Sequence, residues 1–469
     1  MLSPVNKEIL RLAVPSILAN ITVPLVGMVD IAVAGHLGTA ADGAAALIGG
    51  IAIGTMLFDL LYWNFGFLRV STGGMTAQAY GRGDMAECGR TLFRSTGLAL
   101  LSALLLIAIQ WIFVKAAFLV VECSPQVRTL ATEYFFIRIW AAPATLSLMA
   151  LKGWFIGMQD SMAAMVTDLV VNGVNIAASI VLSAGIGSWE GLGFAGVAWG
   201  TVTAQFSGLA AAAAFVLLKY RRKVFTGLRA ADALGSLHDR ESSRFFSMNG
   251  DIFVRSLCFI AIYIGYTVIS ARYGDTLLAS CSILMKLLMI FSYFSDGFAY
   301  AGEAMTGKYI GAEDERMVRL TVRQVFVWTG ALAAAFMFIY GFGGNWMLGL
   351  MTTDTTVVGI AGRYIPWLLL MPLSGCAAFA WDGIFIGATA SKAIRNAMLW
   401  ATLAFFAVWF AGIAFTGSGA SEIIGGDATR GGMTAIHILM GAYFAHLLAR
   451  TVYLTARWRY FVLPTRRSA

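Results

Sequence analysis

FSYFSDGFAYAGEAMTGKYIG, residues 291–311, sits in a stretch apolar enough to cross a bilayer, yet it carries Asp296 and Glu303. Seven residues make two helical turns, so the two carboxylates share nearly one face. An ionisable group at mid-membrane costs roughly 2.5–3.5 kcal/mol on insertion scales, so such acids face a bundle interior or a wet cavity. Asp296 and Glu303 are therefore candidates for ion or proton handling, although Glu303, close to Lys308, can also be read as an interfacial ion.

The stretch has a counterpart. An offset of 230 residues aligns Met75-Thr76 with Met305-Thr306, Gly81 with Gly311 and Asp84 with Asp314. The same offset pairs Gly153, Phe155, Ile156 and Gly157 with Gly383, Phe385, Ile386 and Gly387. One constant offset across separated segments is the mark of a tandem duplication. The positions matching Asp296 and Glu303 are Gly66 and Gly73, so the acids belong to one copy only.

Composition supports a membrane location for the whole chain. Of its 469 residues 59% are hydrophobic and 12% charged, with a mean hydropathy of +0.76, whereas about a quarter of the residues in soluble domains are charged. Apolar runs near 12–34, 44–68, 95–121, 129–157, 162–184, 194–218, 245–271, 276–307, 324–342, 356–387, 396–416 and 434–456 are long enough to span hydrocarbon about 30 Å thick. The fold expected is an all-α polytopic membrane protein, its twelve transmembrane helices forming two pseudo-symmetric six-helix bundles. Residues 1–218 make the N-terminal lobe, 219–244 a cytoplasmic linker and 245–469 the C-terminal lobe. Six spans per copy keep the copies in one orientation, as in transporters built from parallel repeats.

The net charge of +8 calls for no nucleic acid. Twenty-three of the 33 Lys and Arg residues fall in alternate connections (1–11, 79–94, 219–244, 308–323, 392–395 and 450–469). That is the positive-inside pattern, with both termini cytoplasmic; the expected location is the cytoplasmic membrane of a bacterium. The N-terminal apolar run is read as a retained first helix kinked by Pro15 and Pro24 rather than a cleaved signal. The five cysteines lack paired spacing and read as buried thiols.

Within the spans, Asp251 and Arg255 stand four residues apart and can pair with each other, while Asp382, near the cytoplasmic end of its run, reads as partly solvated. Asp30 is either an acid at a weak point of the first helix or a solvated group near His36. Tyr62, Trp63, Tyr293, Phe298 and Tyr300 are candidates to line a pocket for flat cations, and Met285 and Met289 to soften one. No GxxxxGK[ST] loop, HExxH or GxSxG motif occurs, which argues against ATP energisation by this chain and leaves an intramembrane enzyme without a nucleophile and base.

Several of these residues lie in motifs that resemble the multidrug and toxic compound extrusion (MATE) family, in its DinF-like branch. They are Met28-Val29-Asp30 with Gly35-His36-Leu37-Gly38, Thr76-Ala77-Gln78-Ala79-Tyr80-Gly81, Asn249-Gly250-Asp251-Ile252 with Arg255, Asp296-Gly297-Phe298-Ala299-Tyr300-Ala301 with Glu303, and Asp382-Gly383-Ile384-Phe385-Ile386-Gly387 with Arg395-Asn396. The resemblance implies two lobes in a V and export of amphipathic, often cationic compounds against inward proton or sodium flow. No cofactor beyond that ion is expected, and a monomer is. It also implies that Asp30 takes the coupling proton while the helix bends at Pro15, with Asn175 and Thr201 in the same site. Where relatives carry a further acid, this chain has Ser179. Asp251 and Asp382 match acids that other branches use for cations. The alternative is a flippase for lipid-linked intermediates; an intramembrane enzyme is a remote third.

Overall fold

The computed structural model describes residues 3–37, 43–121, 123–225, 239–352, 354–416 and 430–463. They are helix and turn apart from one bridge between Ile186 and Trp189. The helices are α1 (Pro4–Leu37), α2 (Gly43–Trp63), α3 (Phe67–Gly81), α4 (Met85–Val120), α5 (Pro125–Arg138), α6 (Ala142–Gly157), α7 (Ser161–Ala184), α8 (Phe194–Phe215) and α9 (Arg221–Val224). There follow α10 (Arg240–Ala271), α11 (Asp275–Gly311), α12 (Glu315–Met351), α13 (Thr355–Arg363), α14 (Ile365–Gly387), α15 (Ser391–Thr416) and α16 (Arg430–Phe461). Among the described residues twelve helical stretches are long and apolar enough to cross a membrane, so this is a multi-pass membrane protein.

Most spans outrun the apolar windows that announce them. The ninth, expected over 324–342, is helical over Glu315–Met351, because a helix can leave the hydrocarbon and continue with polar residues. The expected tenth span, 356–387, is two helices. Pro366 lies in the first turn of α14, where its missing amide costs nothing, and Tyr364 separates it from α13. α1 runs unbroken from Pro4 to Leu37 through Pro15 and Pro24.

The chain divides into two compact units, one of residues 14–249 and one of residues 1–13 with 250–469. Within the first, α3 packs on α6 and α7 on α8; within the second, α11 packs on α14 and α15 on α16. The duplication shows in backbone detail. Gly83 and Glu313 are left-handed (φ 75° and 57°), as are Gln159 and Thr389 (φ 62° and 52°), although Glu, Gln and Thr rarely take that conformation. Asp84 caps α4 by accepting from the Glu87 amide at 2.9 Å, and Asp314 caps α12 by accepting from the Met317 amide at 3.0 Å.

The closest helix approaches repeat as well. A Cβ on Gly153 would strike the carbonyl of Arg69, and one on Gly383 the carbonyl of Ala299, 230 residues on. Small residues let membrane helices meet backbone to backbone. Gly383→Ala should therefore cost about 1–3 kcal/mol of overpacking, read as a lower melting temperature in detergent, while Gly330→Ala, with open space at its Cβ position, should leave it unchanged.

Between α6 and α7, Asp160 accepts from Ala163 N (3.3 Å), Lys219 Nζ (2.6 Å) and Tyr220 Oη (2.5 Å). Burial raises its carboxyl, but the hydrogen bonds and the Lys219 charge outweigh burial and hold it below the usual range. Its folded-state value being depressed, it stabilises above the unfolded value, and that contribution fades as pH falls through the folded one. The melting-temperature gap between wild type and Asp160→Asn should be constant above about pH 5 and close as the pH drops below about 4.

Candidate functional site

In the unit of residues 14–249, α7 carries Asp168, Asn172, Asn175, Ser179 and Ser183. Their spacing of three and four residues lines them along one helix face. Each meets a partner on a different helix or on α7 itself. Asp168 pairs with Lys152 of α6, and Asn172 Nδ2 donates to Thr22 Oγ1 of α1 at 2.5 Å. Asn175 Nδ2 donates to Thr201 Oγ1 of α8 at 3.1 Å, Ser179 Oγ donates to Asp30 Oδ1 of α1 at 3.2 Å, and Ser183 Oγ donates to the Ser179 carbonyl at 2.5 Å.

This row gathers Asp30, Asn175 and Thr201, all buried. Asp30 is 7% exposed, so its reading as a solvated interfacial acid is corrected: α7 covers it. Ser179, noted in the sequence only as the residue that replaces an acid, is its hydrogen-bond partner. Asn175 Oδ1 is buried without a hydrogen-bond partner. Arg138 of α5 lies in the same unit. Its guanidinium lies 4.8 Å from the Phe58 ring centroid and 5.6 Å from that of Tyr134, whose Oη accepts from it at 3.1 Å.

The other unit holds a different arrangement. Asp251 on α10 accepts from Arg395 Nη1 and Ser391 Oγ of α15, each at 2.6 Å. Asp382 on α14 accepts from Arg255 Nη2 of α10 at 2.5 Å and also pairs with Arg450 of α16. The expected pairing of Asp251 with Arg255 along one helix is corrected: both residues reach across to other helices instead. Asp382 is buried, not partly solvated, because two guanidiniums satisfy it there. Arg395 and Arg450 read as cytoplasmic charges in the sequence. Only contacts across the bundle reveal them as counter-ions, Arg395 of α15 to Asp251 of α10 and Arg450 of α16 to Asp382 of α14.

On α11, Glu303 is fully buried, which overturns its reading as an interfacial ion, and Asp296 is half-buried. Lys308 is engaged elsewhere, donating to Glu8 at 2.6 Å. Among the aromatic candidates, Phe298 packs parallel to Trp328 with centroids 6.1 Å apart, a packed position. Tyr293 and Tyr300 are half-buried in the same unit, while Tyr62 is half-buried and Trp63 exposed in the other. Met285 lines a cavity with Tyr266, Tyr364 and Met371 whose free space is about 10 Å³, enough for one water; Met289 packs against the surrounding core. This cavity is too small for an organic substrate. All five cysteines are free thiols. Among the described residues no three His, Cys, Asp or Glu side chains gather as a metal site.

Comparison with known proteins agrees with this layout. The MatE family profile matches residues 15–181 and 252–419, once in each half of the chain. DNA damage-inducible protein F of Escherichia coli (strain K12) is 33% identical over 400 residues, covering 85% of this chain and 84% of that protein. A probable multidrug resistance protein NorM of Photorhabdus laumondii subsp. laumondii is 22% identical over 409 residues, covering 87% and 86%. A MOP superfamily transporter from Pyrococcus furiosus Vc1 shares the fold, with a TM-score of 0.81 at 15% identity over 98% of this chain and 97% of that one. The chain belongs to the MATE family, a family of transporters and not of enzymes.

Proposed function

We propose that the chain is a secondary active antiporter. It exports amphipathic, often cationic compounds in exchange for protons, by alternating access between an N-terminal lobe (1–218) and a C-terminal lobe (245–469) joined by a cytoplasmic linker (219–244), in a bacterial cytoplasmic membrane with both termini inside. The substrate class is supported by the relative bearing a multidrug resistance name.

One observation carries the choice of coupling group. Asp251 and Asp382 each touch at least one guanidinium, so protonating either would strand a partly or fully buried positive charge. Asp30 instead has a neutral hydroxyl as its hydrogen-bond partner. It can pass between charged and protonated forms without breaking a contact ion pair. When Asp30 is ionised, Ser179 Oγ–H donates to it; once protonated, the carboxyl can itself donate, and the hydroxyl can rotate to accept. The switch changes the contact between α1 and α7 and so gives proton and substrate different affinities for two states, which is what vectorial exchange requires. Sodium in place of the proton would call for several oxygen ligands, and Asp251 and Asp382 are already paired with arginines.

The test is efflux of a dye cation from proteoliposomes under an imposed pH gradient. Asp30→Asn should fold normally and lose gradient-driven efflux; full coupled transport by this variant refutes Asp30 as the coupling group. Asp382→Asn should behave oppositely in kind, its main effect being a stability loss of about 3–5 kcal/mol from two unneutralised guanidiniums, visible as a lowered melting temperature. Accumulation of lipid-linked precursors on gene deletion, with unaltered drug sensitivity, would favour the flippase reading instead.

A further inference from the structure

The two compact units divide inside a continuous helix. Residues 1–13 group with 250–469, whereas Val14 onward belongs to 14–249, and the division falls one residue before Pro15 of α1. The first three turns of α1 are built to stay where they are. Val5, Ile9, Leu12 and Ala13 recur at helical spacing and are 0–5% exposed. On the two flanks of that stripe, Glu8 accepts from Lys308 Nζ (2.6 Å) and Tyr309 Oη (3.2 Å) at the end of α11, and Asn6 Oδ1 accepts from Trp328 Nε1 of α12 (3.3 Å). The far end of the same helix is tied within the other unit, Thr22 to Asn172 and Asp30 to Ser179. Between and around these ties α1 is thinly packed, with Val23, Leu25 and Met28 more than half exposed, and each proline removes one backbone hydrogen bond.

We propose that Glu8 is a positioning residue for transport: its clamp on Lys308 and Tyr309 anchors the base of α1, so that a change at Asp30 loads the proline-weakened segment instead of sliding the whole helix. The inference rests on the antiporter reading and adds a residue some six turns of helix away from Asp30. The bridge is partly exposed, with side chains 28% and 29% accessible, and such pairs add little to global stability. Its loss should therefore show in turnover and not in melting temperature.

The experiment compares wild type, Glu8→Ala and the charge-swapped pair Glu8→Lys with Lys308→Glu, each full-length in proteoliposomes. The maximal rate of pH-driven dye efflux should fall at least about fivefold in Glu8→Ala, the lower range of coupling between sites. The half-saturating dye concentration and the melting temperature should be unchanged. The swap should restore much of the rate. Hydrogen–deuterium exchange, which needs no transport, should rise in residues 4–13 of Glu8→Ala and fall back in the swap. An unchanged rate, unchanged exchange in those residues, or a rate loss that tracks a lowered melting temperature and resists the swap would each overturn the clamp. Wild type inert under any imposed gradient would refute the antiporter reading itself, while the exchange result would still decide whether Glu8 holds the base of α1.

Discussion

With no water in the hydrocarbon core, a polar group on these helices is costly unless it finds a partner inside the protein. That constraint arranges the structure more tightly than the apolar residues do, since lipid satisfies a leucine as well as a neighbouring helix can. Lys152 with Asp168, Arg395 with Asp251, and Arg255 and Arg450 with Asp382 are its ionic solutions. The hydroxyls and amides along α7 are its neutral one. A pair of opposite charges is fixed, because neither member can change protonation without stranding the other. A carboxyl held by a hydroxyl has two acceptable states. Arginine–aspartate pairs of the fixed kind gather in the second unit, while the acid–hydroxyl contact of Asp30 lies in the first.

The duplicated backbone makes that separation informative. Left-handed residues at 83 and 313 and at 159 and 389, the aspartate caps at 84 and 314, and the close approaches at Gly153 and Gly383 are shared. The polar cargo is not. One unit carries the α7 row around Asp30, and the other the arginine–aspartate cluster joining α10, α14, α15 and α16. The same frame thus carries an acid–hydroxyl contact in one copy and arginine–aspartate pairs in the other. α1, divided between the units just before Pro15, is the element through which such a difference could be used.

The number of spans, the repeat and the family were legible in the sequence, because hydropathy over some twenty residues and a constant offset are one-dimensional signals. Partners of buried charges were not. Asp251 and Arg255 looked paired because four residues along a helix is the only proximity a sequence displays, and the actual partners lie 144 residues away at Arg395 and 127 residues away at Asp382. Burial failed for the same reason. Glu303 and Lys308 are neighbours in sequence, but one is sealed in the bundle and the other reaches back 300 residues to Glu8. The breaks at Tyr364 and before Pro366 were written in the sequence, and an apolar window averaged them away.

The central claim is that Asp30 gives up a proton as substrate binds. Its most direct test is proton release on adding a dye cation to purified protein in weakly buffered detergent, followed with a pH-sensitive fluorophore. The account predicts a saturable release from wild type that disappears in Asp30→Asn and survives in Asp251→Asn. A release that persists undiminished in Asp30→Asn, or none at all from a wild type that binds the dye, would contradict it.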